Sequence, residues 1–114
     1  MAINFVNLTP HDVVIYKGDV VDRTIPFTGI IARAKEETKK VGELDGIPET
    51  ESTFGEVENL PEPQPNTIYI VSALAAKAAR DAGRTVDLRV PHDSVRNDKG
   101  QIIGCRSLGR IDKI

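Results

Sequence analysis

Both histidines of the chain lie in the same short frame, Pro-His-Asp, at two distant points of the sequence. His11 is followed by Asp12, and His92 is followed by Asp93. An imidazole titrates near neutral pH and binds metals, and a carboxylate beside it supplies a base or a hydrogen-bond acceptor. If the two frames meet in the fold, they offer two imidazoles and two carboxylates for ligand binding or for acid–base work at a phosphate ester.

The local spacing argues against a metal site or a catalytic motif within either frame. Adjacent His and Asp residues on a strand point to opposite faces. The sequence also has no His-x-Glu, His-Glu-x-x-His or Cys-x-x-Cys pattern. Because proline fixes φ and aspartate bonds the nearby backbone, each frame suits a plain turn between strands. We therefore predict turns at both positions and assign no metal, no cofactor and no catalytic residue.

Ser72 stands between a strong strand pattern and an alanine-rich helical pattern. Serine is a preferred N-cap, and the free N–H groups in the first turn of a helix attract anions. Neither a phosphate-binding Walker loop nor a Gly-x-Ser-x-Gly nucleophile pattern is present. Ser72 is therefore either a plain N-cap or part of an anion site. In the second case we expect arginines beside it, and Arg80 and Arg84 on the exposed side of the helix are the candidates.

The single cysteine, Cys105, lies in an apolar run. We predict a buried, unreactive thiol, although a pair with either histidine remains an alternative. One cysteine cannot form an internal disulfide, which favours a reducing compartment and predicts a cytoplasmic protein.

Length and composition predict a single soluble domain over 1–114. Hydrophobic residues make up 39% of the chain, and no apolar run is long enough to span a membrane. Residues 1–76 contain 6 Lys/Arg and 12 Asp/Glu, whereas residues 77–114 contain 9 Lys/Arg and 5 Asp. This balance argues against general DNA binding. The asymmetry predicts either an unevenly charged surface or a homo-oligomer joined through opposite faces.

The distribution of β-branched, apolar and turn-forming residues predicts strands, then one helix, then strands. Strands are expected at 3–7, 13–16, 20–25, 30–35, 54–58, 67–71, 86–90, 101–105 and 106–111. Residues 35–53 form either a short helix or a long hairpin strand, with an exposed loop at 42–52. The alternating prolines at 60–65 predict a stiff connector, with binding to an aromatic groove on a partner as the alternative. A helix at 73–82 ends at Gly83, with an apolar face formed by Leu74, Ala75, Ala78, Ala79 and Ala82.

This order excludes a doubly wound parallel sheet, in which helices alternate with strands. We predict an α+β fold, namely a small, mostly antiparallel β-barrel or rolled sheet with one packed α-helix at about residues 73–82.

Four segments together resemble a group of small proteins from phages and mobile elements of bacteria. They are NLTPHDV at 7–13, GEVENLPEP at 55–63, TIYIVSAL at 67–74 and VRNDKGQIIG at 95–104. The resemblance covers most of the chain except 36–53 and carries over no site residue. It implies a cytoplasmic phage or prophage accessory protein that binds a host factor or sequesters a small molecule.

We therefore expect a non-enzymatic protein that binds a host protein or an anionic small molecule such as a nucleotide, in one version with an anti-defence role. Two alternatives stay open, a small hydrolase or nucleotide-processing enzyme built on the two Pro-His-Asp frames, and a minor structural component of a phage particle. The candidate ligand-binding residues are His11, Asp12, Ser72, Arg80, Arg84, His92 and Asp93.

Overall fold

The computed structural model describes residues 2–111, except for the side chain of Phe54. These residues form eight strands and one helix. The elements are β1 Asn4–Asn7, β2 Val13–Lys17, β3 Val20–Ile25, β4 Arg33–Leu44, β5 Ile47–Glu58, β6 Thr67–Ile70, α1 Ala73–Asp81, β7 Leu88–Arg96 and β8 Ile102–Gly109.

Six of the strands form one curled sheet in the order β1-β6-β7-β8-β2-β3, and β4 pairs with β5 as a separate hairpin. The three longest ladders, β2/β3, β4/β5 and β7/β8, are antiparallel. Three shorter ladders, β1/β6, β6/β7 and β2/β8, are parallel. The parallel pair β6/β7 requires a crossover, and α1 provides it. The predicted α+β fold, a mostly antiparallel rolled sheet with one packed helix, is confirmed.

Helix α1 begins at the predicted residue, Ala73, and ends at Asp81, one residue before the predicted end. Ser72 has an extended backbone, and its Oγ accepts a hydrogen bond from the backbone nitrogen of Ala75 at 3.3 Å. At the other end Gly83 takes a φ of +88°, which glycine adopts without strain. The nitrogen of Arg84 then donates to the oxygen of Ala79 at 2.9 Å. Both ends of the helix are therefore capped by the expected residue types.

The core lies between α1 and the sheet. Leu8, Val71, Leu88 and Ile111 are almost completely buried there, and the helix contributes alanines. The buried helical residues are Ala75, Ala76, Ala78 and Ala79. Small side chains let the helix axis come close to the sheet. Leu74 was predicted on the buried face of the helix but is 48% exposed. Ala76, which was not predicted there, is completely buried.

The predicted loop at 42–52 is wrong, because this segment belongs to the β4–β5 hairpin. Asp45 and Gly46 form its two-residue turn with φ values of +50° and +83°. Positive φ at both central positions is the geometry that suits the twist of paired strands, and Asp-Gly is a preferred sequence for it. The long-hairpin alternative for residues 35–53 is the correct one.

The predicted turn at Pro91-His92-Asp93 is also wrong, because these residues lie inside β7. Pro91 stands opposite Leu108 and His92 opposite Ser107 in the ladder with β8. Among the described residues, β7 pairs with β6 only at Leu88 and Arg89. Beyond that point the strand has no ladder partner on its other side, and proline is tolerated at such an edge.

The first Pro-His-Asp frame does form a bend. The bend runs from Thr9 to His11 and connects β1 to β2. The two frames therefore share a sequence but not a conformation.

The β4–β5 hairpin projects from the rest of the molecule. Its main contacts outside itself are with α1. The radius of gyration is 16.8 Å, whereas a compact chain of this length has a value of about 13 Å. No helix within residues 2–111 has the length and apolar character needed to cross a membrane.

Candidate functional site

A cavity of about 780 Å³ opens beside the bend between β1 and β2. We call it the His11 cavity. It is lined by Thr9, Pro10, His11, Asp12, Val13, Val14, Phe27, Ser72, Pro91, Ser94, Ile102, Ile103, Gly104 and Cys105. The lining thus comes from the bend, the segment after β3 at Phe27, the N-cap of α1, and strands β2, β7 and β8. Of the predicted site residues, the structure brings His11, Asp12 and Ser72 together here.

The buried side chain of Asn7 holds the bend that carries His11. Its Nδ2 donates to the carbonyl oxygens of His11 and Ile25 at 2.7 and 3.0 Å. Its Oδ1 accepts from the backbone nitrogen and the hydroxyl of Thr9 at 2.9 and 2.6 Å. The residue is 0% exposed. A buried amide with both ends satisfied fixes the backbone around it, so His11 projects from a rigid support.

The carboxylate of Asp12 fastens the bend to the chain that follows β3. One of its oxygens accepts from the backbone nitrogen of Phe27 at 2.7 Å. Close by, the hydroxyl of Thr28 donates to the backbone oxygen of Asn7 at 2.9 Å. Asp12 therefore has a structural task as well as a place in the cavity lining.

Ser72 places the start of α1 at the cavity. The first N–H groups of a helix have no partner within the helix, and they carry the positive end of its dipole. Ser72 and His11 line the same cavity, and the Oγ of Ser72 accepts a hydrogen bond from the N–H of Ala75. The anion-binding alternative for the helix start stays a prediction.

The remaining wall is largely apolar. Phe27, Ile102 and Ile103 line it while remaining 41%, 60% and 40% exposed. Gly104 allows β8 to approach β2, since a Cβ at this position would lie 2.6 Å from the backbone oxygen of Val14. The cavity thus combines an apolar surface with a small number of polar groups, which is typical of small-molecule sites.

Cys105 lies in this wall with only 3% of its surface exposed. Burial raises the pKa of its thiol, and the negative charge of Asp93 acts in the same direction. Hydrogen bonds with the backbone at His92 and Ser107 lower the pKa by less. The thiol is therefore protonated at neutral pH and is a poor nucleophile, as predicted for a buried cysteine.

His92 and Asp93 do not line the His11 cavity, although Pro91 and Ser94 on either side of them do. Asp93 takes a left-handed φ of +59°. This backbone conformation interrupts the alternation of side chains along β7. The Nδ1 of His92 lies 3.5 Å from the Oγ of Ser107, outside the cavity. Of the second Pro-His-Asp frame only Pro91 lines the cavity, so the two histidines are not both among its lining residues.

The arginines expected beside Ser72 lie elsewhere. The guanidinium of Arg84 donates to Asp87, with Nη2–Oδ2 at 2.8 Å, and to the backbone oxygen of Pro61 at 2.6 Å. It also lies 5.6 Å from the ring centre of Tyr69. The Nε of Arg80 lies 3.8 Å from the Oδ1 of Asp81. Arg80 lies in the last turn of α1, and Arg84 follows Gly83 beyond the end of the helix. Arg80 comes eight positions after Ser72, which corresponds to about 12 Å along a helix axis.

Within residues 2–111, no group of three or more His, Cys, Asp or Glu side chains is placed to hold a metal ion. Sequence reasoning missed two parts of the site, the Asn7 support and the apolar wall. Asn7 carried a usable signal, since it is a polar residue at the end of an apolar strand and just before a proline bend.

Comparison with known proteins gives no assignment. No protein-family model matches the chain, and neither the curated proteins nor the solved structures give a match. The function must therefore be argued from the cavity itself.

Proposed function

We propose that this chain is a non-enzymatic accessory protein of a phage or prophage. In this proposal it acts in the host cytoplasm and binds an anionic small molecule, such as a nucleotide, in the His11 cavity. The observation that carries the proposal is that His11, the start of α1 at Ser72 and an apolar wall share one cavity. Its volume, about 780 Å³, falls within the range of about 300–1,000 Å³ that is typical of small-molecule sites.

The lining favours a ligand with an apolar, planar part and a single anionic group. The planar part packs against Phe27, Ile102 and Ile103, and the anionic group lies between His11 and the first turn of α1. No Lys or Arg of the described chain lines the cavity, and the carboxylate of Asp12 repels further negative charge. These features favour a nucleoside monophosphate over a triphosphate.

The phage origin rests on the four segments that resemble small phage and mobile-element proteins. In that setting, tight binding of a signalling nucleotide removes the nucleotide from the host, and this would be an anti-defence role. The enzyme alternative has less support. His92 and Asp93 lie outside the cavity, and the Cys105 thiol is protonated.

A host protein is the second candidate partner. The observation that favours it is the exposure of Phe27, Ile102 and Ile103 at the cavity, because neighbouring exposed apolar side chains mark interaction surfaces. In this case a loop of the host protein would occupy the cavity instead of a nucleotide.

Thermal melting separates the two candidates. The purified chain is melted with inorganic phosphate, nucleosides, and nucleoside mono-, di- and triphosphates at concentrations up to about 1 mM, which is on the order of the Kd of a weak ligand. A nucleotide that binds the folded state raises the Tm, and monophosphates should raise it most. The absence of a shift with every anion would contradict nucleotide binding and leave the host protein as the candidate.

A further inference from the structure

The β4–β5 hairpin is a separate two-stranded sheet that extends from the body of the molecule. The side chains of β4 are mostly exposed. Each strand has 12 residues, and within the described chain neither pairs with any strand except the other. Isolated two-stranded hairpins are marginally stable in water. Each strand also has an outer edge whose N–H and C=O groups are available to another strand.

The order of charges along β4 is self-complementary. Between the two irregularities of the β4/β5 ladder lies a regular run, Glu36–Lys40, with the sequence Glu-Glu-Thr-Lys-Lys. When this run lies antiparallel to a copy of itself, centred on Thr38, Glu37 faces Lys39 and Glu36 faces Lys40. Each of these pairs occurs twice. Opposite charges directly across two antiparallel strands stabilise the pair.

The pattern continues beyond the regular run. In the same register Arg33 faces Glu43, and Ala34 faces Gly42. Among the charged residues of β4, only Lys35 lacks an oppositely charged residue across from it. In the monomer the Nζ of Lys40 already lies 2.6 Å from Glu43, but both side chains are more than half exposed, and such surface pairs exchange partners at little cost.

We propose that the outer edge of β4 pairs antiparallel with β4 of a second copy of this chain, with the two-fold axis at Thr38. The product is a continuous four-stranded sheet in the order β5-β4-β4-β5. A two-fold contact of this kind uses the same surface on both copies and closes after two, so the assembly is a dimer.

The outer edge of β5 does not offer a comparable contact. All of its charged residues are acidic, namely Glu49, Glu51, Glu56 and Glu58. Antiparallel pairing of β5 with itself would therefore bring like charges together, and Pro48 lacks an N–H group for the ladder. The difference between the two edges therefore favours pairing of β4 with β4 of the second copy.

Charge reversal tests the register. Sedimentation equilibrium should give the unmodified chain twice the 12.5 kDa mass of one copy. The double variant Glu36→Lys/Glu37→Lys and the double variant Lys39→Glu/Lys40→Glu should each be monomeric, because four like-charge contacts replace four opposite-charge contacts. We expect the dimer dissociation constant to rise at least about tenfold in each.

Two combinations should restore the dimer. The quadruple variant that carries all four changes reads Lys-Lys-Thr-Glu-Glu and is again self-complementary. An equimolar mixture of the two double variants should form heterodimers, because each supplies the charges that the other lacks. As a matched control, Glu49→Lys/Glu56→Lys on β5 changes the net charge by the same amount as Glu36→Lys/Glu37→Lys but should leave the dimer intact.

A cross-link locates the axis. Under mild oxidation Thr38→Cys should give a disulfide-linked dimer, because the two-fold axis places the two positions opposite each other. Ser52→Cys, which lies opposite Thr38 within the hairpin, should not cross-link, because three strand spacings separate the two copies. A monomeric unmodified chain at all concentrations would overturn the proposal. So would double variants that dimerise like the unmodified chain, or cross-linking through Ser52→Cys instead of Thr38→Cys.

Discussion

Asn7 is the residue on which the geometry of the His11 cavity depends most. Its side chain makes four hydrogen bonds while fully buried. Two of them go to the backbone carbonyls of His11 and Ile25, and the His11 carbonyl also lies 2.9 Å from the hydroxyl of Thr9. An amide that joins the bend to the end of β3 in this way sets where His11 stands.

We predict that Asn7→Ala lowers the free energy of unfolding by about 2–4 kcal/mol, because it leaves buried polar groups without partners. Urea unfolding measures this change. Asn4→Ala is the matched control, since Asn4 is exposed at the start of β1, and its effect should stay within about 0.5 kcal/mol. Equal effects of the two substitutions would contradict the role assigned to Asn7.

The buried thiol of Cys105 should make the free energy of unfolding depend on pH in a definite direction. Burial raises the pKa of its thiol in the folded state, so the unfolded state loses the proton at lower pH. The thiol therefore contributes its full stability below the ordinary cysteine pKa, about 8.5. That contribution is lost as the pH rises through the folded pKa.

The comparison that isolates this effect is between the chain and its Cys105→Ala variant. The stability advantage of the unmodified chain, measured by urea unfolding at pH 7 and again at pH 9.5, should shrink at the higher value. A constant difference across this interval would show that the thiol titrates alike in both states and would contradict the effect of burial.

At the scale of the elements, the sequence predicted those strands and helix ends that depend mainly on residues close together in the chain. The run 67–71 is rich in β-branched residues, and β6 covers Thr67–Ile70 of it. Ser72 and Gly83 mark the two ends of α1 because their preferred backbone conformations are needed there. The sequence left residues 35–53 open between a helix and a hairpin strand and wrongly assigned a loop at 42–52, because the side chains of β4 are mostly exposed and such a strand shows no apolar alternation. Pro91 suggested a turn, but β7 has no partner on one side at that point, a property that only the assembled sheet determines.

Ser72 is predicted to have two separable effects. Ser72→Ala should cost about 1 kcal/mol of stability through loss of the N-cap. It should also weaken nucleotide binding, because the first turn of α1 then frays beside the ligand. Ser94→Ala is the control, since Ser94 lines the same cavity but caps no helix. Urea unfolding and ligand-dependent melting of both variants make the distinction, and a loss of stability alone in Ser72→Ala would leave Ser72 as a cap only.

At the scale of the whole molecule, the body that holds the His11 cavity carries a projecting hairpin. The body brings together residues as distant in sequence as His11, Ser72 and Cys105. No spacing rule predicts such a meeting, because it depends on how β8 inserts between β7 and β2. The sequence identified three of the cavity residues by type, but it could not tell that His92 and Asp93 would lie outside. Since the hairpin and the cavity use different residues, dimerisation and ligand binding can be tested independently.

The central claim is that the His11 cavity binds an anionic small molecule, and isothermal titration calorimetry tests it most directly. The nucleoside monophosphate that raises the Tm most is titrated into the unmodified chain, His11→Ala and His92→Ala. We expect binding to the unmodified chain and to His92→Ala with equal affinity. His11→Ala should bind at least about tenfold more weakly, because it loses a charge-assisted hydrogen bond. Equal affinity in all three proteins, or a loss confined to His92→Ala, would contradict the claim.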